Sequence, residues 1–119
     1  MKPIGDVSKF LARFENFKDA EFRSVEIISP TSMLVTLAAQ DNARAFDWIS
    51  LKLELSGVSD AQLLDNTKLS LVDMSEGLSI VKEDTSIIFG IGEYTNSSSI
   101  KNSALFIECS NIKYEEDLF

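Results

Sequence analysis

"FDWISLKLELSGVSDAQLLD", residues 46–65, is the stretch that decides the fold. Apolar and polar residues alternate without a break from Ile49 to Ser56. Ile49, Leu51, Leu53 and Leu55 fall on one side; Ser50, Lys52, Glu54 and Ser56 fall on the other. Extended backbone points successive side chains to opposite faces, so this pattern predicts a half-buried strand. A helix would place the same four residues on no single face. Ser56-Gly57 ends the run. Phe46 and Trp48, the latter the only Trp in the chain, share the parity of Lys52 and Glu54. They form an aromatic patch if that side is bare, and part of a second layer if the N-terminal helix or the tail covers them.

Working outward, residues 6–18 ("DVSKFLARFENFK") predict an amphipathic helix. Val7, Phe10, Leu11, Phe14 and Phe17 follow helical spacing, and Asp6 is the N-cap candidate. Three Phe on one stripe serve either as a partner-binding face or, more commonly, as core packed on a sheet. Residues 24–27 alternate and 33–39 return after a turn at Pro30, which predicts a hairpin. Further strands are predicted at 69–74, 78–84, 85–94 and 104–116. Residues 59–68 are turn-rich and fit a short helix or an edge strand equally, and 95–103 read as a polar loop. The expected fold is α+β in one domain, 1–119. The N-terminal helix covers part of the dry face of a mostly antiparallel, curled sheet of roughly six to eight strands, in a meander or partial barrel.

Composition narrows the function. The chain has 119 residues and a net charge of −8, which disfavours nucleic acid and anionic lipid as partners. It keeps the protein soluble, and on a sharper reading steers in a basic partner protein. Mean hydropathy is +0.04, no apolar run approaches the ~20 residues of a membrane span, and residues 1–14 lack the apolar core of a signal peptide. A cytoplasmic location is therefore expected.

There is no His and a single Cys, Cys109. That removes His-dependent triads and His metal ligands, and leaves no cysteine pair for a disulfide or zinc. Cys109 lies in an apolar run and reads as a small buried hydrophobe. "FGIGEY" (89–94) lacks the third Gly of a dinucleotide fingerprint, position 95 being Thr. Its glycines read instead as a bulge, a bend or a close approach of another segment. An acid/base pair drawn from Glu54, Asp60, Asp65, Asp73, Glu76, Glu93 and Glu108 is conceivable. Asp60, Asp65 and Asp73 do not match a calcium loop. No cofactor and no metal are expected. The end, "YEEDLF", places Glu115, Glu116 and Asp117 before Leu118 and Phe119. It is either a solvated terminus or an acidic arm with apolar anchors.

The segments "FENFKDAEFRSVEI", "FDWISLKLELSGVSDAQLL" and "ALFIECSNIKYEE" together resemble a pattern of small bacterial β-rich proteins of uncharacterised role, some of them similar to immunity proteins that neutralise a toxin. Asp19-Ala20-Glu21, Leu53 to Val58 and Leu105 to Ile112 carry the likeness, with Leu55 standing where Phe is usual. The resemblance implies a compact domain that binds another protein and catalyses nothing itself. The expected function is thus a non-catalytic protein-binding domain, immunity-like, with Phe46, Trp48, Glu54, Glu115, Glu116 and Asp117 toward a basic partner. The alternatives are an acidic adaptor or secretion chaperone that forms a homodimer, and a small-ligand binder or carboxylate-based enzyme.

Overall fold

A computed structural model describes residues 1–118, apart from the side chain of Leu118. The chain runs β1 (Lys2–Pro3), α1 (Val7–Arg13), β2 (Glu21–Ser29), β3 (Ser32–Asp41), β4 (Asp47–Ser56), β5 (Asp60–Gln62), β6 (Leu78–Glu83), β7 (Ser86–Ile91), α2 (Ser97–Ile100), β8 (Phe106–Cys109) and β9 (Asn111–Leu118). Short 3-10 turns occupy 15–17, 42–44 and 66–71. The fold is α+β with antiparallel sheets, but there are two of them rather than one curled sheet. The first has the order β1-β9-β4-β3-β2, the second β5-β8-β7-β6.

β4 is the strand that the alternation predicted. It pairs with β3 on one side and β9 on the other. Ile49, Leu51, Leu53 and Leu55 are fully buried, and they face the second sheet's Phe89, Ile107 and Cys109 in one contiguous core. The chain passes between the sheets twice at one corner. β4 leads to β5 and β8 leads to β9 there, and the Ser110 N–H donates to the Ser56 carbonyl while the Ser59 N–H donates to the Glu108 carbonyl, both at 3.0 Å. The predicted strand at 104–116 is therefore two strands, broken where it changes sheets.

Three other expectations change. The strands number nine among the described residues, because β1 and β5 are too short to show a pattern in sequence. Residues 69–74 are not a strand: Asn66–Leu71 form a 3-10 turn, capped where the Asp65 carboxylate accepts the Thr67 N–H. The N-terminal helix stops at Arg13 rather than 18. Glu15, Asn16 and Phe17 take left-handed φ of 53°, 57° and 60°, a conformation that costs roughly 1–2 kcal/mol per non-glycine residue. Burial repays it: Phe17 is fully buried, its ring stacked on Phe14 at 5.0 Å, and Phe10 meets Tyr114 at 5.0 Å. The helix does not lie across one sheet. It plugs the side of the sandwich, where Val7 shares a cleft with Ile80 and Ile87 of the second sheet and Ile112 of the first.

The polar loop at 95–103 carries α2, whose Ile100 packs with Ile88 and Phe106 on the outside of the second sheet. That explains the glycine at 90. A Cβ there would lie 2.6 Å from Ile100 Cγ1, so Gly90 answers a close approach. Gly77 answers another: its φ is +74° and a Cβ would lie 1.9 Å from the backbone oxygen of Asn16 in the left-handed turn.

Two glycine substitutions separate strain from contact. Gly5 also has positive φ, +68°, but nothing lies within 4 Å of its would-be Cβ. Gly5→Ala is expected to cost roughly 1 kcal/mol from φ alone, and Gly77→Ala roughly 3 kcal/mol or more. Urea unfolding of both variants checks this; equal losses would remove the claimed docking of Gly77 on the turn.

Candidate functional site

The register places an exposed face on the first sheet. On β4 the outward residues are Trp48, Ser50, Lys52, Glu54 and Ser56. Gln40 of β3 stands opposite Trp48, and Leu34 opposite Glu54. On β9, Lys113 faces Glu54, Glu115 faces Lys52, and Asp117 faces Ser50. No helix of the described chain lies over these residues: α1 plugs the side, α2 covers the second sheet, and the 66–71 turn packs at the β2 edge. Trp48 is 38% exposed and Phe46 45%. Sequence parity thus places Trp48 on the uncovered side, together with Glu54, Glu115 and Asp117.

Phe46 reaches the same end of the sheet by a different route from strand parity. It precedes β4, in a turn where Ala45 and Phe46 both have left-handed φ, 55° and 64°. Such values are uncommon for an aromatic residue and persist only where the surroundings over-determine them. Asp41 does so. Its backbone oxygen accepts the Phe46 N–H at 2.9 Å, and its carboxylate accepts the Ala43 N–H at 3.0 Å. Gln40 Nε2 donates to the Phe46 carbonyl at 3.3 Å.

The Asp41 side chain is fully buried and sits in a four-member ion cluster. Arg13 of α1 grips it with two bonds, Nε at 2.8 Å and Nη2 at 2.6 Å, and reaches Glu116 of β9 with Nη1 at 2.6 Å. Arg44 lies 3.3 Å from both carboxylates. The Arg13 hydrogen bond is the chief reason that both carboxyls titrate below their ordinary values; burial opposes it, and Arg44 adds to it. Arg13 is raised in turn by Asp41 and then Glu116.

Glu116 therefore separates from its neighbours. Residues 111–118 form a strand, not a loose arm, and alternation turns Glu116 to the opposite side from Glu115 and Asp117. Its carboxylate is spent inside the molecule. The proposed apolar anchors, the Leu118 side chain and Phe119, lie outside the described residues. Sequence reasoning missed Arg13, Asp41 and Arg44. Asp41 reads as an ordinary turn residue, and only the fold brings it to Arg13, 28 positions away.

The carboxylates weighed for catalysis separate into small structural groups. Asp60 and Glu108 face each other across β5 and β8. Lys101 Nζ lies 3.8 Å from the one and 2.9 Å from the other, and Ser86 donates to Glu108 at 3.1 Å. Hydrogen bonding to Glu108 raises Lys101, and Lys101 lowers Glu108, so both stay ionised near neutrality and neither is poised to exchange a proton. Asp65 and Asp73 each hold the backbone of their own turn. Glu76 and Glu93 line one groove with Lys18. Cys109 is buried, which pushes its thiol up to about 11, the wrong direction for a nucleophile. Two clefts of about 480 and 490 Å³ flank the 66–71 turn, with Val72 in both walls. Among the described residues, no three carboxylates or thiols converge as a metal site.

Compared with known proteins, the chain matches no family model, no curated protein and no solved structure.

The ion cluster makes stability depend on pH with a definite sign. Asp41 and Glu116 are depressed on folding. Their contribution is complete above about pH 5 and is lost as the pH falls through about 4 toward the lower folded values. Arg13→Gln is expected to cost about 2 kcal/mol at pH 7, because it leaves the buried Asp41 carboxylate with only the partly exposed Arg44 as a cation. Against the unsubstituted protein the deficit should shrink at pH 3. Urea unfolding at the two pH values measures it, and a deficit of equal size at both would rule out the ionic origin.

Proposed function

We propose that the protein is a non-catalytic protein-binding domain that docks a partner on the uncovered face of its five-stranded sheet. The observation that carries this reading is the exposure of Trp48 on that face, with Phe46 exposed in the turn that leads into β4. Exposed Trp is costly to leave in water and is the residue type most enriched at interface hot spots. The rigid turn supports it as well, since a surface that is already ordered loses little freedom on binding. The net charge of −8 favours a basic protein as the partner and disfavours nucleic acid. In its finer form the reading is immunity-like: the domain binds a basic toxin and blocks it by occupying its surface.

Affinity capture tests the face directly. The immobilised protein, exposed to lysate of its source cell, should retain a specific protein that a Phe46→Ser/Trp48→Ala variant of unchanged melting temperature loses at least tenfold. Capture of the same proteins in equal amount by both would sink the proposal. For the immunity-like form, co-expression with the captured partner should restore growth that the partner alone arrests.

A further inference from the structure

β6 is the last strand of the second sheet and pairs only with β7. Its backbone groups alternate between two directions. Gly77 stands one step before Leu78 in that register, and its carbonyl accepts the Gly92 N–H at 2.8 Å. The odd positions of β6 therefore bond to β7. The two-residue turn at 84–85, closed by Glu83 and Ser86, keeps the same phase. The N–H and C=O groups of Ile80 and Lys82 consequently point off the sheet, and no side chain or loop of the described residues bonds to them. The other edges are shorter or already engaged. β1 has two residues, one of them Pro3, and β5 has three. β2 is taken at Val25, whose N–H donates to Asn66 Oδ1 at 3.0 Å.

Beside the β6 edge runs a trough in two parts that meet at Ile80. One part is a cleft of about 150 Å³ walled by Ile4, Val7, Ile87 and Ile112, with Lys82 beside them. The other, about 210 Å³, is walled by Leu11 and Leu78 and carries Lys18, Glu76 and Glu93. Neither Lys82 nor these three charged groups has an ion-pair partner among the described residues. Val7 and Leu11 belong to α1, so an edge strand and a helix flank the trough.

We propose that this trough binds an extended segment of a partner protein, which adds to β6 as an antiparallel strand. The site goes beyond the Trp48 face and shares no residue with it. The backbone selects the occupant: polar groups repeating at strand spacing are satisfied together by another extended chain. Antiparallel pairing is the more stable per residue. Alternation then sets the side chains. Ile80 faces the core, and Leu78 and Lys82 share its parity. The segment's residues opposite Lys82, Ile80 and Leu78 therefore turn into the trough. The first meets the apolar cleft, which suits an aliphatic side chain packed along the Lys82 stem. The third, four positions later in the segment, meets Glu76 and Glu93, which suit Lys or Arg. The motif is an aliphatic residue followed at the fourth position by a basic one.

The probe is an acetylated, amidated heptapeptide, Thr-Ile-Thr-Val-Thr-Lys-Thr, titrated into the full chain and followed by amide NMR and hydrogen exchange. Before peptide is added, the Ile80 and Lys82 amides should exchange about tenfold faster than that of Val81, which bonds to β7. Peptide should slow both and shift Val7 and Ile87. Methylating the peptide's Val nitrogen removes one bond to Ile80 and should weaken binding about fivefold. Exchanging the two anchors, as Thr-Lys-Thr-Val-Thr-Ile-Thr, should weaken it by a similar factor. On the protein, Lys82→Pro removes an edge donor and spares the bonds to β7, so it should lose the same factor, whereas Lys82→Thr keeps the N–H and the binding. No binding of the first peptide, or equal affinity of the two peptide orders, would overturn the site. So would shifts centred on Trp48, equal loss in Lys82→Thr and Lys82→Pro, or Ile80 and Lys82 amides as slow as Val81 in the free protein. Protection that rises with protein concentration alone would place a second copy on the edge and overturn the partner.

Discussion

The structure depends on β4 being paired on both flanks while committing one parity to the core. Ile49, Leu51, Leu53 and Leu55 are fully buried, and each such side chain contributes roughly 1.5–3 kcal/mol by leaving water. A slip of one residue against β3 or β9 would carry all four to the solvent side, so register is strongly specified. The same constraint determines where Trp48, Lys52 and Glu54 must point. Core and candidate surface are thus two readings of one strand.

The remaining elements follow from closing the space behind that strand. The corner where β4 becomes β5 and β8 becomes β9 folds the second sheet over the Leu side. The Phe-rich helix closes the side, and its left-handed end is tolerated because it seats Phe17 at no exposure. The ion cluster ties α1, β3, β9 and the 42–46 turn together through Asp41. A buried ion pair of this kind adds little net stability relative to a packed apolar group. Its consequence is geometric: the Phe46 turn hangs from a residue that cannot move without breaking several bonds.

What could be read from sequence divides along physical lines. The alternation of 49–56, the 33–39 return strand and the first turns of α1, with Phe10 inward, were legible, because each is a local period enforced by one buried side. The exposure of Trp48 was legible as a parity but not as a fact, since parity does not say what covers a face. The strand at 69–74 failed because turn-capping by Asp65 and burial of Leu69 outweigh β propensity there. The division into two sheets was invisible, but the break at Ser110 leaves a change of phase, since Ile107 and Cys109 face the core from odd positions and Ile112 and Tyr114 from even ones. The Arg13–Asp41–Glu116 cluster joins residues up to 103 positions apart and leaves no local trace. Grouping Glu116 with Glu115 and Asp117 was a compositional reading that strand alternation undoes.

β4 spends its inner parity on folding and leaves an outer parity that carries Trp48 in water. The proposal stands on that division of faces rather than on any motif. The most direct measurement is the solvent access of Trp48 in the isolated protein, whose emission is unambiguous because the chain has one Trp. Acrylamide, being neutral, reaches a residue irrespective of the acidic surface. Red-shifted emission with ready quenching in the folded protein is expected, unchanged until a partner binds. Blue-shifted emission that acrylamide quenches only after unfolding would contradict an open face.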